Sequence, residues 1–257
     1  MLIVISPAKT LNFETAPSST QHSQAQMLNK SEALIDILTT KSPADLEQLM
    51  KISSKLAILN TERYHNWSRP FNVNNAKQAI FAFKGDVYTG LDADNLSEKQ
   101  LEYTQQHLRI LSGLYGVLRP LDLIQPYRLE MGIKLANPEG ENLYQYWGEE
   151  ITNYINNHLK AIDTNILLNL ASIEYFKSIQ TKNLNAKVVT PVFKDWKNGQ
   201  YKLISFFAKK ARGTMSAWVL KNKVKTTRKL IQFNQDNYQY SEEQSDELNP
   251  VFLRKTT

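Results

Sequence analysis

The hydrophobic pattern of this chain alternates between short apolar runs and longer stretches of helical spacing. Short runs rich in aliphatic, β-branched or aromatic residues predict strands at 2–5, 79–83, 165–170, 187–193, 201–207 and 251–253. The fourth and fifth of these runs flank Asn198-Gly199, a dipeptide that strongly favours a β-hairpin.

Apolar residues three and four positions apart predict helices between the strands. These helices are expected over 31–38, from Ser42-Pro43, from Ser53 or Ser54, over 97–111, over 143–159 and from Met215. Ser97 and Gln100 fit a capping box at the start of the fourth helix. No internal repeat and no Pro- or Ser-rich linker divides the chain. We therefore predict a mixed α/β fold (α+β) in a single large domain spanning 1–257.

The stretch 108–132 brings glycine, proline and charged residues together. Gly113 and Gly116 allow another backbone or a ligand to approach closely, and Arg119-Pro120 disfavours a continuing helix. Polar residues follow this turn at Asp122, Tyr127, Arg128 and Glu130. Such a composition is typical of a binding site, but an ordinary turn with a buried ion pair has the same pattern.

Two other candidate segments follow predicted strands. The first strand ends at Ser6 and Lys9, and the second runs into Lys84, Asp86 and Tyr88. Ligands of open α/β sheets bind beyond the carboxyl ends of strands, where these side chains are expected. The alternative is that Lys9 is solvated and that Lys84 and Asp86 form a surface ion pair.

Positive charge is concentrated in one part of the chain. The net charge is +6, yet the segment 197–229 alone carries ten Lys and Arg residues and no acid. Such a basic segment is typical of a surface that binds nucleic acid or phosphorylated ligands. A solvated helix face is the alternative interpretation.

Composition excludes several kinds of site. The chain has no cysteine, which excludes disulfides, thiolate-held iron–sulfur clusters and a thiol nucleophile. Its four histidines show no metal-ligand spacing, so we predict no metal site and no cofactor. No apolar run approaches the roughly 20 residues that span a bilayer, and residues 1–10 lack the features of a signal peptide. We therefore expect a cytoplasmic protein that does not bind membranes.

Several stretches together resemble the YaaA family of peroxide stress resistance proteins. They are LIVISPAKTL at 2–11, AIFAFKGDVYTGL at 79–91, QHLRILSGLYGVLRPLDLIQPYRLEMG at 106–132, NLYQYWG from 142, NLAS and EYFK within 169–177, and SFFAKKARG at 205–213. The resemblance spans nearly the whole chain in order. It implies a fold peculiar to the family, with a helix–hairpin–helix-like element at about 97–125, and a role in limiting iron-dependent damage to DNA by hydrogen peroxide.

The first functional hypothesis is that the protein binds double-stranded or distorted DNA as a monomer with weak sequence specificity. Cations would displace counterions from phosphates, and backbone N–H groups of the glycine hairpin would meet a phosphate. The residues expected to contact DNA are Arg109, Ser112, Gly113, Tyr115, Gly116, Arg119, Lys209, Lys210 and Arg212.

The second hypothesis is an enzyme that acts on a nucleobase, a nucleotide or a similar small molecule. Cations could hold a phosphate, an aromatic ring could stack on a base, and a carboxylate could act as a general base. The pocket would comprise Ser6, Lys9, Lys84, Asp86, Tyr88, Asp122, Tyr127, Arg128 and Glu130. Direct iron binding is a third option, although no ordered His and carboxylate spacing supports it.

Overall fold

The computed structural model describes residues 1–255, so the last two residues of the predicted domain lie outside the described residues. The strands are β1 (Leu2–Ile5), β2 (Thr10–Leu11), β3 (Ser23–Gln24), β4 (Lys77–Gln78), β5 (Phe83–Lys84), β6 (Leu108–Ser112), β7 (Gly116–Leu118), β8 (Asp122–Ile124), β9 (Ile166–Leu170), β10 (Lys187–Val189), β11 (Val192–Lys197), β12 (Gln200–Lys202), β13 (Gln239–Ser241) and β14 (Val251–Arg254).

The α-helices are α1 (Leu28–Thr39), α2 (Pro43–Met50), α3 (Ser54–Asn66), α4 (Ala79–Ala82), α5 (Asp86–Leu91), α6 (Glu98–His107), α7 (Leu143–Trp147), α8 (Glu150–Ala161), α9 (Ile173–Phe176), α10 (Ser205–Lys221) and α11 (Thr227–Leu230). Short 3-10 helices lie at Ala93–Asn95, Thr181–Asn183 and Gln235–Asn237. Helices and strands are interspersed, which confirms the predicted mixed α/β class.

β1 is the central strand of a five-stranded sheet with the order β10-β9-β1-β6-β7. Its two neighbours, β6 and β9, run parallel to it, and β7 closes one edge in the antiparallel direction. All four residues of β1 are fully buried, as expected for a strand covered on both faces. The run LIVI is aliphatic throughout because neither face of this strand meets water.

The strand order creates a crevice at one end of this sheet. After β1 the chain continues to β6 on one side, whereas after β9, on the other side of β1, it continues outward to β10. Connections that leave neighbouring parallel strands in opposite directions open a space between their carboxyl ends, where α/β proteins bind ligands. The loops that begin at Ser6 and Ala171 border this space.

A second sheet has the order β12-β11-β14-β13. The predicted hairpin is confirmed, because β11 and β12 pair in antiparallel register across Asn198 and Gly199. Both turn residues have positive φ, at 53° and 81°, as the turn type favoured by Asn-Gly requires. Smaller sheets pair β2 with β5 and place β8 between β3 and β4.

Five predicted elements differ from the structure. Residues 79–82 form a helical turn rather than a strand, and the helix expected to reach residue 111 ends at His107. The helix expected over 143–159 is two helices separated at Gly148, which has a φ of 47°. The run 201–207 leaves its strand at Lys202, and α10 begins at Ser205 instead of near Met215. In the first three cases the apolar pattern matched the burial but not the type of element, whereas the apolar residues Leu203, Phe206 and Phe207 of the last run are exposed.

Helix starts follow their capping residues closely. Ser42 and Ser97 each accept a hydrogen bond from the third residue of the helix, and the side chains of Asp45 and Gln100 each accept one from the capping N–H group. These contacts satisfy N–H groups that have no partner within the helix. Buried apolar residues from both large sheets and from the helices around them form one continuous core. Among the described residues, no helix combines the length and the hydropathy needed to cross a membrane.

Candidate functional site

Segments far apart in the sequence meet in a pocket of about 420 Å³ at the crevice of the parallel sheet. Ser6 and Lys9 follow β1, Lys84 ends β5 and Asp86 begins α5, and Glu130 comes from the irregular stretch after β8. The loop after β9 and helix α10 complete the lining. The three segments singled out in the sequence thus lie on one surface.

Hydrogen bonds hold the floor of the pocket together. The backbone N–H of Ser172 donates to Ser6 Oγ at 2.8 Å, and the two hydroxyl oxygens lie 3.3 Å apart. The Tyr88 hydroxyl donates to the Ser6 carbonyl at 3.1 Å. The ends of β1 and β9 are therefore fixed to each other and to α5, so the pocket is largely preformed.

Glu130 is shared by two cations at the side of the pocket. Lys9 Nζ lies 2.6 Å from one carboxylate oxygen, and Arg128 Nη2 lies 3.1 Å from the other. The Lys9 side chain is 63% exposed, whereas those of Arg128 and Glu130 are each 17% exposed. The ion pair considered for this turn is therefore present between Arg128 and Glu130. Lys9 joins it as a second cation on the same carboxylate.

Helices α5 and α10 cross at close range and bring basic residues to the pocket. A Cβ atom on Gly213 would lie 1.9 Å from the Val87 carbonyl oxygen, and one on Gly90 would lie 2.2 Å from that of Lys210. Only glycine permits this approach. As a result Lys209 and Arg212, predicted as DNA contacts, line the same pocket as Lys84 and Asp86. Lys210 is exposed on the same helix but does not line the pocket.

Two tyrosines of the pocket are held in their neutral form. Burial raises the pKa of Tyr88 and of Tyr175 well above the usual value, and neighbouring phenols add to the effect. A neutral phenol has one proton to donate, and that of Tyr88 already goes to the Ser6 carbonyl, so Tyr175 is the phenol that can donate a hydrogen bond to a ligand oxygen. Tyr127 is also buried, but its hydroxyl pairs with Ser112 Oγ at 2.6 Å. It lines a narrow space beside the pocket together with Arg128.

The glycine hairpin differs from its predicted geometry. Residues 97–125 form α6 followed by β6, β7 and β8, so the turn at 113–115 joins two strands instead of two helices. Five predicted DNA contacts belong to this region and are buried: Arg109, Ser112, Gly113, Tyr115 and Gly116. These residues are inside the protein, so the hairpin as described does not present them to a phosphate at the surface.

Asp122 also differs from its prediction, because it lies outside the pocket. Its side chain is buried and accepts hydrogen bonds from Arg119 Nε at 3.0 Å, from the Arg119 backbone N–H at 2.8 Å and from Ser23 Oγ at 2.6 Å. Arg119, predicted as a DNA contact, is partly exposed beside it. Asp122 therefore fixes a turn instead of facing a ligand.

Sequence reasoning missed three residues that line the pocket, Ser172, Glu174 and Tyr175. Glu174 Oε1 accepts a hydrogen bond from the Gly132 N–H at 2.9 Å, which joins the loop after β9 to the stretch containing Glu130. The signal was present, since Ala171-Ser172 directly follows the buried run 165–170. Applying the strand-end rule to this third strand would have found them.

The pocket holds charges of both signs. Four cations, Lys9, Lys84, Lys209 and Arg212, face three carboxylates, Asp86, Glu130 and Glu174. Cations with neutral phenols can bind a phosphate, and the carboxylates can accept hydrogen bonds from a base or take up a proton. Within residues 1–255, no group of three or more His, Asp or Glu side chains is arranged to hold a metal ion.

Comparison with known proteins places these features in a family. The family model described as peroxide stress protein YaaA matches residues 1–244. The chain is 55% identical to a UPF0246 protein of Shewanella baltica (strain OS185) and 57% identical to one of Shewanella loihica, over 255 residues in each case. A UPF0246 protein of Colwellia psychrerythraea is 53% identical over 255 residues. Each alignment covers 99% of both chains.

Proposed function

Because the chain belongs to the peroxide stress protein YaaA family, we propose that it is a DNA-binding protein of the oxidative stress response that limits iron-dependent damage to DNA. In this proposal the DNA phosphates lie at the mouth of the strand-end pocket, not at the buried glycine hairpin. The contact residues are Lys84, Lys209, Lys210 and Arg212.

The observation that carries the proposal is the meeting of cations from different segments at one opening. Lys84 from the end of β5 and Lys209 from α10 are both exposed and both line the pocket. Arg212, one turn further along α10, is more buried, and the cost of desolvation lowers its pKa from the usual value. Side chains held in this way can follow a phosphate backbone without reading its sequence.

Binding to labelled duplex DNA, and to a duplex with an unpaired bubble, tests this proposal. Replacing Lys84 and Lys209 together by Ala should weaken binding to both probes and reduce the slope of log affinity against log salt by about 2. Lys221 and Arg228 are exposed cations outside the pocket, so their double Ala variant is a control with the same loss of charge.

An equal loss of affinity in both double variants would show that total charge, not this pocket, governs binding. The cellular part of the proposal has its own measurement. DNA strand breaks after peroxide exposure should rise in cells that carry the Lys84 and Lys209 variant, and not in cells that carry the control variant.

A second candidate function is an enzyme that acts on a free nucleotide or nucleobase. The observation in its favour is that Asp86, Glu130 and Glu174 lie in the same pocket as the cations. A surface that only bound phosphates would be weakened by three carboxylates, whereas an active site needs groups that accept protons. The two functions share one pocket, so a base displaced from a DNA strand and a free nucleotide would bind through the same groups.

A further inference from the structure

A separate cavity of about 410 Å³ lies between the end of α6, the start of β6 and helix α8. Arg109 and Arg119 line it together with Gln26, Tyr154, Asn157 and His158. It shares no lining residue with the strand-end pocket. Two of the three arginines predicted as DNA contacts are thus neighbours in a site of different composition.

Arg109 carries a buried positive charge with no anionic partner among the described residues. It is only 1% exposed, forms no salt bridge, and has no hydrogen-bond partner for Nε. Its Nη1 group donates to the carbonyls of Gln105 at 2.9 Å and Leu108 at 2.6 Å. The nearest carboxylate, that of Asp122, is already bound to Arg119. A guanidinium does not lose its proton in proteins, so the charge remains uncompensated.

The lining of the cavity favours an anion. No Asp or Glu lines it, while Arg119 adds a second positive charge and Tyr154, Asn157 and Gln26 add polar side chains. The Tyr154 ring lies under the Arg109 guanidinium at 5.8 Å and holds that group in place. An oxyanion in this space would meet the unpaired charge of Arg109, the guanidinium of Arg119, whose charge is shared with Asp122, and neutral hydrogen-bond donors, without facing a carboxylate of the lining.

His158 shows that the cluster is incompletely satisfied as it stands. Its Nε2 lies 2.8 Å from Arg109 Nη2, which needs an acceptor, and 2.5 Å from the Gln106 carbonyl, which needs a donor. One nitrogen cannot serve both in either neutral form. Burial, followed by the charge of Arg109, lowers the pKa of His158 to about 4, and His107 and Arg119 act in the same direction.

We propose that this cavity is a binding site for a compact phosphate anion, either free phosphate or the terminal phosphoryl group of a nucleotide, and that the anion neutralises the buried charge of Arg109. The phosphate lies against Arg109 and Arg119, with Asn157 and Gln26 at the rim. The site is independent of the strand-end pocket and of DNA binding.

The imidazole of His158 is a reporter built into this site. Its pKa is measured by NMR in the full chain, with the His158→Gln spectrum to identify the resonance. Inorganic phosphate, compared with chloride at matched ionic strength, should raise this pKa by about 1 unit or more, because an anion at close range stabilises the charged imidazolium. A nucleoside 5′-monophosphate as the second probe distinguishes the two sources. If neither probe moves the pKa of His158, the proposal is overturned.

Variants at the rim test the location without disturbing the core. Asn157 is exposed and lines the cavity, and Asn153 is exposed one turn earlier on α8 outside the cavity. Asn157→Asp should abolish the response of His158 to phosphate, whereas Asn153→Asp should retain it. Gln26→Glu, from a different segment, should act like Asn157→Asp.

The response should also be unchanged in the double variant at Lys84 and Lys209. Loss of the response in that variant would assign the phosphate to the strand-end pocket and refute the separate site. Conversely, if the protein does not bind DNA, the response of His158 to phosphate is unaffected. Each proposal can therefore be refuted without the other.

Discussion

At the scale of single residues, Glu130 is the junction between the pocket and the core. It binds exposed Lys9 on one side and the more buried Arg128 on the other. Arg128 Nε is buried and has no hydrogen-bond partner in the described residues. The neighbouring Tyr64 hydroxyl donates to the backbone carbonyl of Arg128 and not to its side chain. The carboxylate therefore compensates a guanidinium that has few other partners.

Glu130→Gln should lower the free energy of unfolding by about 1–3 kcal/mol, between the ~0–1 kcal/mol of an exposed pair and the ~3–5 kcal/mol of a buried one. Urea denaturation at neutral pH measures the change. Lys9→Gln removes the exposed partner of the same carboxylate and should cost less than about 1 kcal/mol. If the two substitutions cost the same, the more buried pair has no special role in stability.

At the scale of elements, the crossing of α5 and α10 decides the shape of the pocket. α5 carries Asp86 and Tyr88, and α10 carries Lys209 and Arg212, so the separation of the two helices sets the distance between these groups. The two backbones approach so closely that neither helix has room for a Cβ atom at the contact, where each has a glycine. A larger residue would have to move a backbone carbonyl rather than a flexible side chain.

Gly213→Ala tests this crossing. Helix propensity alone would make alanine more stable by ~1 kcal/mol, but its Cβ would lie 1.9 Å from the Val87 carbonyl oxygen. The steric cost should exceed this gain, so the free energy of unfolding, measured by heat or urea, should fall by ~1–3 kcal/mol. DNA binding should also weaken. Gly90→Ala acts at the other side of the contact, and the double variant should cost less than the sum of the two. A stabilised Gly213→Ala protein would contradict the close crossing.

At the scale of the whole molecule, strand order places the pocket. Residues from the loops after β1 and β9 meet because the chain leaves those neighbouring strands in opposite directions. The floor is tied by hydrogen bonds between Ser6, Ser172 and Tyr88. A ligand that fills such a preformed space stabilises the whole fold, since it binds only the folded state.

Nucleotides and nucleobases can therefore be screened by thermal unfolding. A true ligand at a hundred times its dissociation constant should add about 2.7 kcal/mol of stability. Lys84→Ala should reduce the shift, and Glu174→Gln, which keeps the shape of the side chain, should preserve binding but abolish any turnover that depends on the carboxylate. If no compound of either class shifts the unfolding of the wild-type protein, the enzyme hypothesis fails.

The sequence by itself determined several elements and which chemistry is present. The run 2–5 was predicted as a buried strand from its aliphatic side chains alone, and Asn198-Gly199 specified its hairpin because few dipeptides accept two positive φ angles. The mixed α/β class and the family also followed from the sequence. The segments at Ser6–Lys9 and Lys84–Tyr88 were identified because polar residues follow a predicted strand, and the segment with Glu130 because glycine and proline bring charged residues together there.

Only the tertiary structure decided which of these residues meet. The spacing of apolar residues in 97–111 fits a helix. Pairing with β1 nevertheless makes 108–112 a strand, because contacts with a neighbouring strand outweigh local propensity. The same pairing buries the glycine hairpin and Arg109. Lys209 and Arg212 reach the pocket because α10 crosses α5 at a glycine contact, and Glu174 reaches it because β9 lies beside β1. Local patterns record the surroundings of each residue, whereas distances between remote segments depend on strand order and helix crossing, which no single stretch of sequence contains.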